Sequence, residues 1–116
     1  MTRARHCADA AAKLSLNYFT GVFAHAYGPA VRCNCIMPGP FLTDISKAWD
    51  LPAMKKSWKR NQALERAGNA DEVIGAALYF ASAASSFTTG AVLAVDGGTG
   101  AFGRDKAARL AAKARM

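Results

Sequence analysis

Apolar residues between Asp9 and Tyr27 recur at the spacing of an α-helix. They form two stripes, one of Ala12, Leu16, Phe19, Phe23 and Ala26 and the other of Leu14, Tyr18 and Val22. Gly28 and Pro29 follow, a pair typical of a helix end because glycine can take the left-handed cap and proline cannot continue the helix. The pattern predicts a helix over 9–27 that is apolar on two sides and needs two neighbouring elements.

Two short apolar runs are typical of β-strands. The first, 31–37, ends at a Pro-Gly-Pro turn, and the second, 91–95, has the unbroken apolar character of a strand covered on both faces. Between them, Asn69 and Glu72 have the spacing of a helix N-cap and its capping-box glutamate. The helix that follows has an apolar face of Val73, Ile74, Ala77, Leu78 and Ala81. Strand, helix and strand predict a parallel βαβ unit with a right-handed connection.

The apolar residues of the segment 41–66 follow neither the helical nor the strand period clearly. Its aromatic and apolar residues alternate with basic ones: Trp49, Leu51, Met54 and Trp58 stand among Lys47, Lys55, Lys56, Lys59 and Arg60. We predict a loop and a short helix that cover a pocket or a core, since Trp and Leu at helical spacing usually do so. The alternative is an RNA-binding surface, because basic and aromatic residues together can hold single strands.

Composition limits the classes of protein that fit. The chain has 116 residues, 52% hydrophobic and 20% charged, which is globular and too short for two domains. No apolar run reaches the roughly 18 residues of a membrane span, and no secretory signal opens the chain. The odd count of Cys7, Cys33 and Cys35 favours a reducing compartment, and the Cys and His spacing fits no zinc motif. We therefore predict a cytoplasmic protein without membrane contact or a metal site.

The formal charge of +7 is concentrated near the C-terminal end. Five basic residues and one acidic residue occupy 104–115, yet no aromatic residue is present there for stacking on bases, so we do not expect nucleic-acid binding. The run from Gly98 to Gly103 spells G-x-G-x-x-G after a predicted strand, as in a dinucleotide-binding turn. We interpret it as a Gly-rich end, because nothing after it can form the next strand.

Two longer segments carry a family resemblance. Val31 to Asp44, VRCNCIMPGPFLTD, and Arg66 to Gly98, RAGNADEVIGAALYFASAASSFTTGAVLAVDGG, closely resemble the C-terminal half of the short-chain dehydrogenase/reductase family. The resemblance implies an α/β fold: the C-terminal portion of a Rossmann-type doubly wound parallel sheet, in the order helix, strand, helix, strand, with the N-terminal cofactor half absent. On this basis 1–98 form part of a dehydrogenase domain, and 99–116 form a Gly-rich turn and basic tail.

The resemblance also implies a site. Family members transfer a hydride between NAD or NADP and an alcohol or carbonyl, using a Tyr four residues before a Lys on one helix face. Lys13 matches that Lys, which is catalytic and also holds the nicotinamide ribose, but Asp9 stands where the Tyr belongs. A carboxylate is ionised near neutral pH and cannot serve as the phenolic acid. Further residues match the loop that lies against the nicotinamide: Pro38, Gly39, Phe41 and Thr43.

The resemblance therefore leads to two functional hypotheses. In the first, the chain is a truncated NAD(P)-dependent oxidoreductase for small alcohols or carbonyls and is inactive as an isolated chain. In the second, it is a non-catalytic remnant that works by association. In both, the apolar helix 9–27 and strand 91–95 lack covering elements within the chain, so we expect a homo-oligomer formed through them.

Overall fold

The computed structural model describes residues 3–99, with residues 3–7 and 9 described by their backbone only. Within this range the chain forms two compact units. The first comprises the residues up to Met37 together with Ala76–Leu93, and the second comprises Pro38–Gly75 together with the residues from Ala94 onward. The predicted basic tail and the G-x-G-x-x-G run lie outside the described residues, apart from the first two residues of that run.

The first unit is built on a long helix, α1 (Arg3–Tyr27). It ends at the predicted residue, and Gly28 N and Val31 N continue to donate to the carbonyls of Ala24 and Tyr27. Its predicted start at residue 9 is wrong by six residues. The segment 3–8 contains neither proline nor glycine, so nothing in it stops the helix from extending toward the N-terminus.

The buried side of α1 is neither of the two predicted apolar stripes. Thr20 and Ala24 are buried, and Asn17 and Gly21, on the same third side of the helix, are half-buried. Gly90 lies against this side of the helix: a Cβ placed on it would be 3.5 Å from the Cβ of Ala24, an ordinary van der Waals contact. Both apolar stripes are left exposed within the described chain, which agrees with the expectation that the chain cannot cover them.

Strands β1 (Cys35–Pro38) and β4 (Val92–Val95) form a two-stranded sheet. Cys35 N donates to Ala91 O in the first unit and Gly39 N donates to Val95 O in the second, both at 2.9 Å. Donor and acceptor advance by four residues together, so the strands are parallel, as predicted. The prediction that β4 is covered on both faces is wrong for this chain: Val92 and Leu93 are more than one-third exposed.

Strand β1 begins four residues later than predicted, and β4 begins one residue later. In residues 31–34 side chains supply much of the hydrogen bonding: Asn34 Nδ2 donates to Thr88 O at 2.9 Å, and Ala91 N donates to Asn34 Oδ1 at 3.1 Å. Arg32 also turns its guanidinium to the carbonyls of Phe80 and Thr88, at 2.8 and 3.0 Å. The segment is thus anchored largely by side chains, and one backbone bond crosses to it, from Gly90 N to Cys33 O at 2.7 Å.

Helix α3 (Ile74–Ala81) follows a 3₁₀ turn, Ala70–Val73, at the predicted place. Glu72 Oε2 accepts the backbone N–H of Asn69 at 2.7 Å, so the predicted capping contact is present. The predicted apolar face is wrong as a buried face, because Ile74 and Leu78 are more than half exposed. The buried group nearby is Ser85, whose hydroxyl donates to the carbonyls of Phe80 and Ser82.

The second unit contains helix α2 (Leu51–Asn61) and two strands of two residues each, β2 (Phe41–Leu42) and β3 (Gly68–Asn69). The predicted loop and short helix are confirmed. Trp58 is buried and its ring meets that of Trp49 edge-on, with centroids 6.5 Å apart. Strands β2 and β3 are parallel, with Phe41 opposite Gly68 and Leu42 opposite Asn69, a pairing that the sequence did not predict. No helix within residues 3–99 is long and apolar enough to cross a bilayer.

Candidate functional site

The predicted nicotinamide loop, Pro38 to Thr43, leaves the carboxyl end of β1. It is held at both sides: Gly39 N donates to Val95 O at the end of β4, and Gly68 N donates to Pro40 O, both at 2.9 Å. At its far end, Ser46 Oγ accepts the backbone N–H of Thr43 at 3.1 Å. The carboxyl ends of parallel strands are where open α/β sheets bind ligands, so the loop occupies a suitable place for one.

Two glycines let the backbone of this loop approach its neighbours. A Cβ on Gly39 would lie 2.5 Å from the Cα of Asp96, and a Cβ on Gly68 would lie 2.7 Å from the ring of Phe41. Both distances are far below van der Waals contact. Gly39 is therefore required by the close approach of the loop to the backbone of Asp96, whereas a side chain at position 68 would have to displace the ring of Phe41.

The register of β2 and β3 determines where the backbone groups of Phe41 point. In a parallel ladder, alternate residues of a strand bond to a given neighbour. Because Gly68 N bonds to Pro40 O, the N–H and C=O of Phe41 are directed to the opposite edge of β2. This edge thus presents one donor and one acceptor side by side, which is the pattern that a planar carboxamide requires.

An open depression of about 610 Å³ adjoins the loop within the second unit. Its lining includes Leu42, Thr43, Leu51 and Ala70. Thr43, one of the predicted cofactor-binding residues, therefore borders a space of the size of a small-molecule site. Asp44 and Lys47, also in the lining, form an ion pair at 2.7 Å. Both side chains are largely exposed, so this pair adds little to stability.

Behind the loop, Arg66 and Glu72 form a bidentate ion pair, with both N–O distances 2.7 Å. The Arg66 hydrogen bond, with help from the backbone N–H of Asn69, lowers the pKa of Glu72 to about 2. The same pairing raises the pKa of Arg66. The pair spans β3, whose register orients Phe41. The sequence indicated the two residues for different reasons, Arg66 as the start of a family segment and Glu72 as a capping residue. Neither helical nor strand periodicity places residues six apart in contact, so the sequence did not predict the pair.

Replacing Glu72 by glutamine should therefore destabilise the chain in a pH-dependent way. A carboxylate whose pKa is lowered on folding contributes stability above its unfolded pKa, here near 4.5, and loses that contribution as the pH falls toward 2. The difference in unfolding free energy between the wild type and Glu72→Gln should be full at neutral pH, shrink as the pH falls below about 4.5 and vanish only below about 2. Urea denaturation along a pH series measures it.

The matched control for that series is Asp44→Asn, which removes the carboxylate of the exposed pair with Lys47. We expect little change in stability at any pH. Equal losses for the two variants at neutral pH would contradict the role given to the Arg66–Glu72 pair.

The structure groups four of the five predicted site residues. Pro38, Gly39, Phe41 and Thr43 lie in one anchored loop of the second unit. Lys13 lies on α1 in the first unit, where its side chain is exposed and makes an interaction. Because the loop belongs to the second unit, the placement of Lys13 relative to the loop stays a prediction. Asp9 is on the same helix four residues earlier, but its side chain is outside the described ones.

The chain is similar to known proteins in both sequence and structure. The family model described as enoyl-(acyl carrier protein) reductase matches residues 2–100. Sorbose reductase of Candida albicans is 52% identical over 67 residues, which is 58% of this chain and 24% of that protein. A 3-oxoacyl-(acyl-carrier-protein) reductase of Chlamydia trachomatis is 40% identical over 90 residues, 77% of this chain and 36% of that protein.

A solved structure shows the same fold. The 4-hydroxyisoleucine dehydrogenase mutant complexed with NADH and succinate has a TM-score of 0.74 at 29% identity, covering 79% of this chain and 39% of that one. The predicted α/β class, part of a Rossmann-type sheet, is confirmed. The chain spans between 24% and 36% of the length of the two curated relatives above. With a family model that matches nearly all of the described residues and a Pro-Gly loop at the end of a parallel strand, the chain belongs to the short-chain dehydrogenase/reductase family.

Proposed function

We propose that Pro38 to Thr43 is the nicotinamide-binding loop of an NAD(P)-dependent oxidoreductase that interconverts small alcohols and carbonyls. The observation that carries the proposal is the second edge of β2, with which no strand in the described part of the chain pairs. There the N–H and C=O of Phe41 point away from β3, at the carboxyl end of a parallel strand. A carboxamide presents its oxygen acceptor and one of its two N–H donors side by side in one plane, so it matches that edge. The dehydrogenase complexed with NADH, which shares this fold, supports the choice of ligand.

Each residue of the loop has a distinct part in this proposal. The nicotinamide, when bound, supplies or accepts the hydride. The Phe41 backbone orients the carboxamide, and the Thr43 hydroxyl adds a hydrogen bond to the carboxamide or to a phosphate. Gly39 keeps the backbone close to Asp96, and therefore holds the loop in register with β4. Lys13, by resemblance, would place its ammonium on the nicotinamide ribose.

We further propose that the 116-residue chain does not turn over substrate by itself. Asp9 offers an ionised carboxylate where the family has the phenol that protonates a carbonyl. We expect Asp9→Tyr to leave carbonyl reduction undetectable, because one acid cannot replace the glycine turn that holds the pyrophosphate, and these 116 residues contain no such turn before β1. Steady oxidation of NADPH by the Asp9→Tyr chain would contradict this.

Amide chemical shifts test the loop directly. We expect NADH or NADPH to move the amide signals of Phe41 and Thr43, since the carboxamide would bond beside both. ADP-ribose, which lacks the nicotinamide, is the matched control and should leave these signals in place. Equal shifts with ADP-ribose, or no shifts at millimolar NADH and NADPH, would overturn the assignment of the loop.

An oligomerising role is the second candidate, and the surface of α1 favours it. Phe19, Phe23 and Tyr27 form a row of rings with successive centroids 5.9 Å apart, and all three are more than 40% exposed. Exposed Val92 and Leu93 add apolar surface on β4. Apolar patches of this kind usually mark protein contacts, so we propose a homo-oligomer formed through 9–27 and 91–95.

Light scattering distinguishes association through α1 from non-specific association through other exposed apolar residues. The wild-type chain should have the mass of a dimer or larger, and Phe19→Ser with Phe23→Ser should lower that mass to one monomer. Phe87→Ser is the matched control, because Phe87 is fully exposed and lies outside α1. A monomeric wild type, or the same loss of mass in the control, would rule out α1 as the contact.

We also propose a cytoplasmic location. Cys33 and Cys35 are both free thiols, which is the normal state in a reducing compartment.

A further inference from the structure

Helix α2 carries a strongly basic face, Lys55, Lys56, Lys59 and Arg60, and no acidic residue. All four side chains belong to exposed residues. Lys55 and Lys59 are four residues apart, as are Lys56 and Arg60, so each pair holds two like charges on adjacent turns. Such pairs destabilise a helix. The arrangement is therefore unfavourable for the chain alone.

No described residue of the chain neutralises this face. Within the part of the chain that the structure describes, no acidic side chain lies within ion-pair distance of any of the four cations, whereas Lys47 and Arg66 in the same unit each pair with a carboxylate at 2.7 Å. The opposite side of α2 is anchored by buried Trp58. The helix is thus held with its basic face outward.

We propose that the basic face of α2 docks an acidic helical surface of a partner protein. Leu51, which is 40% exposed, stands one turn before Lys55 in the same row, and Ile45, just before the helix, is 78% exposed. A partner helix with carboxylates at four-residue spacing and an apolar end would match both charge and apolar surface. This inference concerns a surface apart from the proposed loop and does not depend on cofactor binding.

Two other polyanions fit the surface less well. Single-stranded nucleic acid is bound by stacking on exposed aromatic rings, but Trp58 is buried and Trp49 packs on it. An anionic membrane is bound by a basic helix whose apolar side enters the lipid, and in α2 that side is occupied by the protein's own core. The acidic protein surface remains the occupant that the observations favour.

Fluorescence anisotropy of the full chain tests the proposal. The probe is a labelled alanine-based helical peptide with glutamate at every fourth position, and the comparison peptide has glutamine instead. We expect the glutamate peptide alone to bind, and Lys55→Gln with Lys59→Gln to weaken binding about tenfold. The matched control is Lys106→Gln with Lys113→Gln, which removes the same charge from the basic tail and should weaken binding less than about twofold.

Folding of the variants is checked separately. Lys55→Gln with Lys59→Gln removes repulsion and touches no core residue, so its melting temperature should be unchanged or higher. Equal weakening by the two double variants would mean that net charge alone binds the peptide and would overturn the proposal. If the glutamate peptide did not bind at low salt, the proposal would also be overturned. Tighter binding of a single-stranded oligonucleotide, or of vesicles containing phosphatidylserine, through the same lysines would also contradict it.

Discussion

Replacing Gly39 by alanine is expected to lower the free energy of unfolding by about 3 kcal/mol. The new Cβ would lie 2.5 Å from the Cα and 3.0 Å from the carbonyl oxygen of Asp96. These are backbone atoms, so no side-chain rotation relieves the clash and the strand end must separate. That movement would also break the bond from Gly39 N to Val95 O, which anchors the proposed nicotinamide loop to β4. Chemical denaturation measures the loss.

Gly75→Ala is the control for this change. A Cβ on Gly75 meets nothing within 4 Å, and the residue is helical, in α3. The substitution should raise stability by up to about 1 kcal/mol, because alanine is the better helix former. If the two alanine variants proved equally stable, the close approach of Gly39 to Asp96 would be wrong.

The second large effect is expected for Arg32→Met, with a loss of about 2–3 kcal/mol. The Arg32 guanidinium donates to the carbonyl oxygens of Phe80 at 2.8 Å and Thr88 at 3.0 Å, so it joins the segment before β1 to the end of α3 and to the loop that follows α3. Methionine keeps most of the chain length but leaves these half-buried carbonyls without their charged donor. Thermal and urea unfolding should both show the change.

Two further variants define what Arg32 contributes. Arg32→Lys keeps the charge but cannot reach several carbonyls with one planar fork, so it should recover only part of the loss. Arg60→Met makes the same chemical change at an exposed position and should alter stability by less than about 0.5 kcal/mol. Equal stability of Arg32→Met and Arg60→Met would contradict the anchoring role of Arg32.

The sequence predicted those features of the candidate site that are formed by residues near one another in the chain. The Pro-Gly turn after an apolar run placed the loop at a strand end, since a proline pair cannot continue a ladder. The Asn69 and Glu72 spacing predicted a cap that is present at 2.7 Å. The family motifs identified the loop residues, and four of them do lie together. All of these features depend on residues close to one another along the chain.

Contacts that depend on the path of the chain followed from no such pattern. The pairing of Phe41 with Gly68 and the guanidinium bonds of Arg32 join segments far apart in the sequence. The Arg66–Glu72 pair joins residues only six apart, but it needs the particular path of the chain through β3. Glu65 is a further case: its φ of 59° is left-handed, a conformation that favours glycine, and nothing in the residue type indicated it.

The buried faces show the same division between local pattern and three-dimensional contact. Helical periodicity correctly identified α1 and α3 as helices, because amphipathic spacing is a property of the residues themselves. It identified the wrong buried sides, because burial depends on which surface a neighbour approaches. In α1 that surface is the line of small residues around Thr20 and Ala24, where Gly90 comes close. The large apolar side chains stay exposed, since no described element of this chain lies against them.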